Sequence, residues 1–190
     1  MVRTLLLALV GLLLVAGVAR AGTRVSAGIF GGSSVPVAQD VEVSSLNWSD
    51  AVGPSGSQFG LRADVKAFPV VTLEPFYMST SYDDDEETFN GLSYTRDGWD
   101  VTAWGLNAVF GTPDGPGFHF FPYVGLGSFS MERTGDEIDE IGWNFGLGFG
   151  YEVARNFSLQ LRPEVNMVVT GETSRKFGTV SLGLNYVIMP

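Results

Sequence analysis

The stretch that decides the fold is residues 141–154, which read IGWNFGLGFGYEVA. Its odd positions carry large apolar side chains from Trp143 to Val153, and its even positions carry mostly glycine, with asparagine and glutamate. Side chains alternate between two faces only in a β-strand, so this segment is predicted to be a strand with one apolar and one polar face. It is long enough to cross a bilayer, which takes a tilted strand of roughly 9–11 residues.

The same alternation, less clean in places, continues through the rest of the chain. It predicts eight strands, at Thr23–Gly32, Gln58–Ala67, Val70–Tyr82, Trp99–Thr112, Phe118–Met131, Ile141–Ala154, Phe157–Gly171 and Gly178–Ile188. The connections 37–57, 83–98, 132–140 and 172–177 are the longer ones, and the breaks near 68–69, at 113–117 and at 155–156 are short. Long loops at one end and short turns at the other are typical of outer-membrane barrels. We therefore predict an all-β fold, an eight-stranded antiparallel up-and-down transmembrane β-barrel, whose loops 37–57, 83–98 and 132–140 contact the outside.

The N-terminal residues are predicted to be a signal peptide, residues 1–21. Arg3 supplies a positive start, residues 5–18 are an apolar run, and Ala19-Arg20-Ala21 fits a cleavage site between small residues. The run is shorter than the roughly 20 residues of a transmembrane helix, and an uncleaved anchor is the alternative. Residues 22–190 are then one barrel domain, either in an outer membrane or soluble and exported.

Composition excludes several classes of protein. The chain has no cysteine, so disulfides and a lipidated N-terminal cysteine are excluded. Removing Arg3 and Arg20 from the 11 basic residues leaves 9 against 21 acidic residues, a net charge of −12. Such an acidic chain argues against a nucleic-acid partner, and no cofactor is predicted.

Periodicity alone does not say which face points inward. A soluble lipocalin-like barrel that binds an apolar ligand has its apolar face inside, whereas a membrane barrel has it outside. Here the polar face is mostly glycine, serine and asparagine with few charges, which favours a narrow interior over a water-facing surface. Its charges balance and are predicted to form a structural network inside the barrel: Arg24, Arg62, Lys66 and Arg162 with Asp64, Glu74, Glu152 and Glu164.

The aromatic residues are predicted to mark the membrane interfaces. Those near strand ends or on the apolar face are assigned to aromatic girdles: Trp99, Trp104, Phe110, Trp143, Tyr151, Phe157 and Tyr186. Outer-membrane lipid and lipopolysaccharide are therefore the predicted partners.

Three short runs resemble a known family: PYVGLG at 122–127, GLGFGYE at 146–152 and NFSLQLR at 156–162. They are similar to the second half of the small OmpA-like and opacity-protein-like outer-membrane barrels. As sequence the likeness covers residues 121–188, and as architecture the whole mature chain. It implies eight strands, insertion in the outer membrane, and surface loops that serve adhesion, immune evasion or envelope integrity. Members usually end on an aromatic residue, whereas this chain ends VIMP after Tyr186, and the likeness implies no peptidoglycan anchor.

No residue is predicted to be catalytic. His119, the only histidine, follows the short turn 113–117, so it is expected at the periplasmic end, where an interfacial or packing role is favoured over a lipid A-modifying enzyme. The acidic runs 83–87 and 136–140 do not match an EF-hand, and a solvated surface is favoured over Ca²⁺ or Mg²⁺ binding. Eight strands with charges inside leave no continuous pore, so structural pairing is favoured over conduction.

Overall fold

The computed structural model describes residues 24–37, 55–66, 68–89, 92–96, 98–133, 136–170 and 173–189. The predicted signal peptide and most of loop 37–57 lie outside these residues. The described part contains ten strands: β1 (Val25–Val37), β2 (Gly56–Lys66), β3 (Val71–Tyr82), β4 (Asp85–Phe89), β5 (Leu92–Arg96), β6 (Asp100–Phe110), β7 (Phe118–Arg133), β8 (Asp136–Ala154), β9 (Phe157–Thr170) and β10 (Thr173–Met189). No helix in these ranges is long and apolar enough to cross a membrane.

Eight of these strands close into an antiparallel barrel in the order β1-β10-β9-β8-β7-β6-β3-β2. The predicted barrel and all eight of its strands are confirmed. The remaining two strands, β4 and β5, form a separate hairpin within the predicted loop 83–98. Every barrel strand therefore pairs with its neighbours in sequence, except that β3 pairs with β6 across this hairpin and β1 pairs with β10 to close the barrel.

The barrel has two unlike ends. At the turn end, the connections are 67–70, 111–117 and the two-residue turn 155–156, where Asn156 takes a positive φ of 68°. Asparagine tolerates this left-handed conformation, which lets the chain reverse in so few residues. At the opposite end, the loop end, β1 ends, β2 begins and the β4–β5 hairpin is attached.

Two predicted loops at the loop end are wrong. Residues 132–140 belong almost entirely to β7 and β8, which stay paired up to Arg133 and Asp136. Residues 173–177 are likewise the start of β10. Charged and polar residues in these stretches looked like loop composition, but the stretches are extended strands. The two strand pairs thus remain hydrogen-bonded hairpins up to their last described residues, at Arg133–Asp136 and Thr170–Thr173.

The strands are strongly staggered around the barrel. Paired residues can be followed from Val25 through Val65, Leu73, Ala108, Val124, Phe145, Val165 and Gly178 back to β1. The path returns at Val35, ten residues further along the same strand. A stagger of this size goes with strands tilted by roughly 35–45°, and an eight-stranded barrel is just wide enough for side chains to fill it.

Between the two ends, the large apolar side chains point away from the barrel axis. Trp143 and Leu161 are each 45% exposed, and Phe59 is 55% exposed. Pro75 and Pro122 keep this alternation, because both point outward and leave their neighbours Glu74 and Phe121 inside. The predicted orientation is therefore observed at this level, which argues against the lipocalin-like alternative.

Candidate functional site in the barrel interior

The middle of the barrel is built around one buried ion pair. Arg162 on β9 donates from Nη1 to Glu74 Oε1 at 2.7 Å and from Nη2 to Glu74 Oε2 at 2.6 Å. The two side chains are only 3% and 1% exposed. The guanidinium also donates to Gln160 Oε1 and lies 5.0 Å and 5.1 Å from the ring centroids of Phe121 and Tyr123. This two-point geometry fixes β3 against β9 across the barrel interior.

A ladder of amides extends this cluster around the interior. Asn107 donates to Glu74 Oε1 at 2.8 Å, and Asn144 donates to Asn107 Oδ1 at 2.8 Å. Glu164, which is half-buried, accepts a hydrogen bond from Asn166 at 2.9 Å. The alternating asparagines of the polar face thus satisfy buried carboxylates without needing a cation for each one.

Fewer of the interior cations pair with anions than the sequence predicts. Arg62 is 5% exposed, but it makes no ion pair among the described side chains. Its Nε reaches Asn185 Oδ1 at 3.4 Å, its guanidinium lies 4.9 Å from the ring of Phe30, and its Nη2 has no hydrogen-bond partner. Of the eight residues predicted to form the network, the structure brings only Arg162 and Glu74 into an ion pair.

Three of the predicted network residues lie at the turn end instead. Arg24, Lys66 and Glu152 are half-buried there. Lys66 Nζ donates to Thr112 Oγ1 at 3.1 Å in the β6–β7 turn, so it is bound to a hydroxyl and not to a carboxylate. The sequence pattern placed these residues on the inward face of their strands. It could not show that they lie at the rim of the barrel.

Asp114 is a buried acidic residue that the sequence pattern did not reveal. It lies in the β6–β7 turn, yet it is only 2% exposed, because the turn folds back into the barrel. Its carboxylate contacts Ser26 Oγ and Ser158 Oγ and accepts from Gln160 Nε2 at 2.8 Å. An aspartate followed by glycine normally marks an exposed turn, so no sequence signal distinguished it.

The interior at the loop end is mostly apolar. The residues Val101, Phe129, Met131, Val168 and Phe177 are all fully buried there. Trp99 belongs to this cluster at 5% exposure, so its assignment to an interfacial girdle is wrong. Arg133 and Arg175 lie over its ring at 5.8 Å and 5.2 Å. The other six girdle residues all lie on the outward face.

The polarity of the two faces therefore reverses along the strands. On β3, Ser79 and Ser81 point outward while Met78 and Tyr82 are buried inside. On β7, Ser128 and Ser130 point outward around the buried Phe129. A polar outside and an apolar inside are the pattern of a barrel in water, whereas the middle of the chain has the pattern of a barrel in lipid. The reversal marks where the apolar belt ends.

An acidic cleft opens at the loop end. It has a volume of about 630 Å³ and is lined by Ser81, Tyr82, Asp83, Asp84, Gly98, Asp100, Glu132 and Arg133. Asp84 Oδ1 accepts from the backbone of Gly98 at 2.7 Å, and Asp100 accepts from Ser81 at 2.7 Å. Among the described residues, no three carboxylate or imidazole groups are arranged to hold a metal ion.

His119 lies at the turn end, opposite Gly150 on β8. It is half-buried, and its ring faces Gly115 of the inserted β6–β7 turn. A Cβ added at Gly115 would lie 3.2 Å from the histidine ring, so the two groups are close neighbours. This contact places His119 among the side chains that surround the turn.

Comparison with known proteins identifies the same kind of barrel in a family model and in solved structures. A family model described as "Outer membrane protein beta-barrel domain" matches residues 4–187. Among solved structures, Neisserial surface protein A superposes with a TM-score of 0.58 at 14% identity, covering 87% of this chain and 97% of that one. A major outer membrane protein from Thermus thermophilus superposes with a TM-score of 0.56 at 12% identity, covering 88% of this chain and 100% of that one. Among curated proteins there is no match.

Proposed function

Because this chain belongs to the outer membrane protein beta-barrel domain family, we propose that it is a structural or surface-interaction barrel that neither conducts solutes nor catalyses a reaction. The barrel sits in the lipid bilayer of the outer membrane of a Gram-negative bacterium. The observation that carries the proposal is the filled interior. Arg162 and Glu74 block the middle level, and Phe129 and Phe177 block the loop end, and all four are buried.

The contact surface of the proposed function is the acidic loop end. Outer-membrane barrels face the cell exterior with their long loops. This supports the proposal that the cleft around Asp84, Asp100 and Glu132 faces outside the cell. These carboxylates favour a cationic partner, and they would repel other polyanions at the cell surface. Lipopolysaccharide is the proposed neighbour of the outward serines just below, since hydroxyls can donate to sugar and phosphate oxygens.

The contact surface can be tested with a simple cationic probe. Oligolysine should bind the purified protein in detergent, and the affinity should fall as salt is raised. The paired substitutions Asp100→Asn and Glu132→Gln should weaken this binding severalfold, whereas Glu152→Gln, at the opposite end, should leave it unchanged. Equal binding by all three proteins would refute the cleft as the contact surface.

The location of the protein in the outer membrane and the closure of the barrel interior can be tested separately. The protein should remain in the outer-membrane pellet, and unboiled samples should migrate differently from boiled ones. In planar bilayers it should give no steady conductance, and a regular open channel would overturn the closed-barrel proposal. Removal of residues 1–21 is part of the same proposal. It is tested by measuring the mass of the mature protein, which should correspond to a chain that begins at Gly22.

A further inference from the structure

We propose that the membrane hydrocarbon around the loop end rises higher against β8 and β9 than against β6 and β7, so that the barrel is held in an uneven apolar layer. Lipid acyl chains cover the outward side chains of Ile141, Met167 and Val169. Side chains at the same height on β6 and β7 meet headgroups and water instead.

The stagger of the strands sets the height of each residue along the barrel axis. Paired residues rise by ten residues toward the loop end over one circuit of the eight barrel strands. Each step from β6 to β7, β8 and β9 therefore adds about 1.25 residues of height, and one residue advances roughly 2.5 Å along the axis of such a tilted barrel. Heights on neighbouring strands can be compared on this scale.

The apolar faces of β7 and β9 begin at the same height near the turn end. Phe118 on β7 pairs with Tyr151 on β8, and Tyr151 pairs with Leu159 on β9. Two steps of the stagger raise Leu159 about 2.5 residues above Phe118, so Phe157 is the outward residue of β9 that is level with Phe118. Any difference at the loop end is then a difference in the length of the apolar face, which tilting the barrel does not remove.

The upper ends of the two faces differ by about 10 Å. On β7 the outward face is apolar up to Leu126, roughly 20 Å above its start, and continues with Ser128 and Ser130. On β9 it is apolar as far as Val169, roughly 30 Å above its start. Ser130 and Val169 each lie twelve residues above the level pair of phenylalanines, so a hydroxyl and an exposed valine occupy the same height.

The same contrast separates β6 from β8. Trp104 pairs with Ser128, and Ser128 pairs with Ile141. Two steps of the stagger then place Trp143, two residues below Ile141, level with Trp104. The next outward residue toward the loop end is Thr102 on β6, but on β8 it is Ile141, which is 67% exposed.

Continuity with the apolar belt identifies the occupant of this upper surface as lipid. Every outward residue of β9 from Phe157 to Val169 is apolar, so no polar rim separates the upper part from the part that lies in the bilayer. An apolar patch that binds a protein partner is typically rimmed by polar residues. Leaving Ile141 and Val169 in water costs free energy in proportion to their apolar area, whereas a bilayer changes its local thickness at a modest cost per ångström.

The proposal can be tested with spin labels, because the chain has no cysteine of its own. A nitroxide is attached to Ser130→Cys, Val169→Cys or Leu161→Cys in phosphatidylcholine vesicles, and its accessibility to oxygen and to a water-soluble nickel chelate is measured. Oxygen concentrates in hydrocarbon, so the ratio of oxygen to nickel accessibility should be severalfold higher at position 169 than at position 130, and close to the ratio at position 161.

Two results would overturn the proposal. One is an equal ratio at positions 130 and 169, even where the label at position 161 shows that the barrel lies in the bilayer. The other is a label at position 169 that neither reagent reaches, which is the result expected if protein covers this surface.

A second measurement does not depend on the label. Val169→Lys should lower the urea concentration at the midpoint of unfolding in the same vesicles, whereas Ser130→Lys should leave it unchanged, because a charge on the outer wall is costly only where hydrocarbon surrounds it. Equal shifts for the two variants would contradict an uneven apolar layer.

Discussion

Removing the guanidinium of Arg162 should strongly destabilise the barrel, because it breaks the ion pair at the interior polar face. Arg162→Ala leaves Glu74, 1% exposed, as a buried anion whose remaining donor is Asn107. Breaking a buried pair from one side typically costs about 3–5 kcal/mol. The contacts of the guanidinium with Phe121 and Tyr123 are lost as well, so we expect the upper part of this range.

The assay is equilibrium unfolding by urea in phospholipid vesicles, followed by the unboiled gel form and by tryptophan fluorescence. A double-mutant cycle separates the charge from the packing. Arg162→Met alone should cost about 3–5 kcal/mol, and adding Glu74→Gln should recover roughly 2 kcal/mol of that, because the uncompensated charge is gone. Lys66→Met is the control and should cost only about 0.5–1.5 kcal/mol, since it removes one hydrogen bond to Thr112.

Two outcomes would refute this reasoning. The first is an unfolding free energy for Arg162→Ala within about 1 kcal/mol of the wild type, which would show that water or another group compensates Glu74. The second is a strictly additive cycle, in which Glu74→Gln changes the unfolding free energy by the same amount whether Arg162 is present or replaced. Either result would mean that the bidentate contact between β9 and β3 does not rigidify the barrel.

Four further predictions concern the other levels of the barrel. Leu161→Arg places a charge on the lipid face and should cost roughly 2–4 kcal/mol in urea unfolding, whereas Ser57→Arg, at the loop end, should cost at most about 1 kcal/mol. Gly148→Val should cost about 1–3 kcal/mol, because a Cβ there meets the buried ring of Phe121, with Leu147→Val on the outward face as its control. Phe129→Ala should cost about 3–5 kcal/mol, because it leaves a cavity in the interior at the loop end. In single-tryptophan variants, brominated lipid should quench Trp104 and Trp143 but not Trp99; equal quenching would place Trp99 outside the barrel.

Much of the fold was readable from local pattern. Alternation over 141–153 assigned each side chain of that part of β8 to a face, because neighbouring residues of a strand point in opposite directions whatever the strand pairs with. The sparse, charge-balanced polar face then placed the apolar residues outward at the level of Trp143 and Leu161. The pattern was weakest where polarity reverses. There Phe129 and Ser130 still alternate, but the apolar side chain now points inward and the polar one outward. Trp99 was assigned to the outside for that reason.

The partners inside the barrel were decided only by tertiary structure. Alternation tells which face Arg62, Glu74 and Arg162 share, but the ten-residue stagger decides which of them meet across the interior. That stagger brings Arg162 to Glu74 and leaves Arg62 beside Phe30. The insertion of Asp114 was equally invisible, since its turn sequence is that of an ordinary exposed turn and its partners Ser26 and Ser158 are distant in the chain. Side-chain direction is a local property of the sequence, whereas contact across a closed barrel depends on the register of all eight strand pairs together.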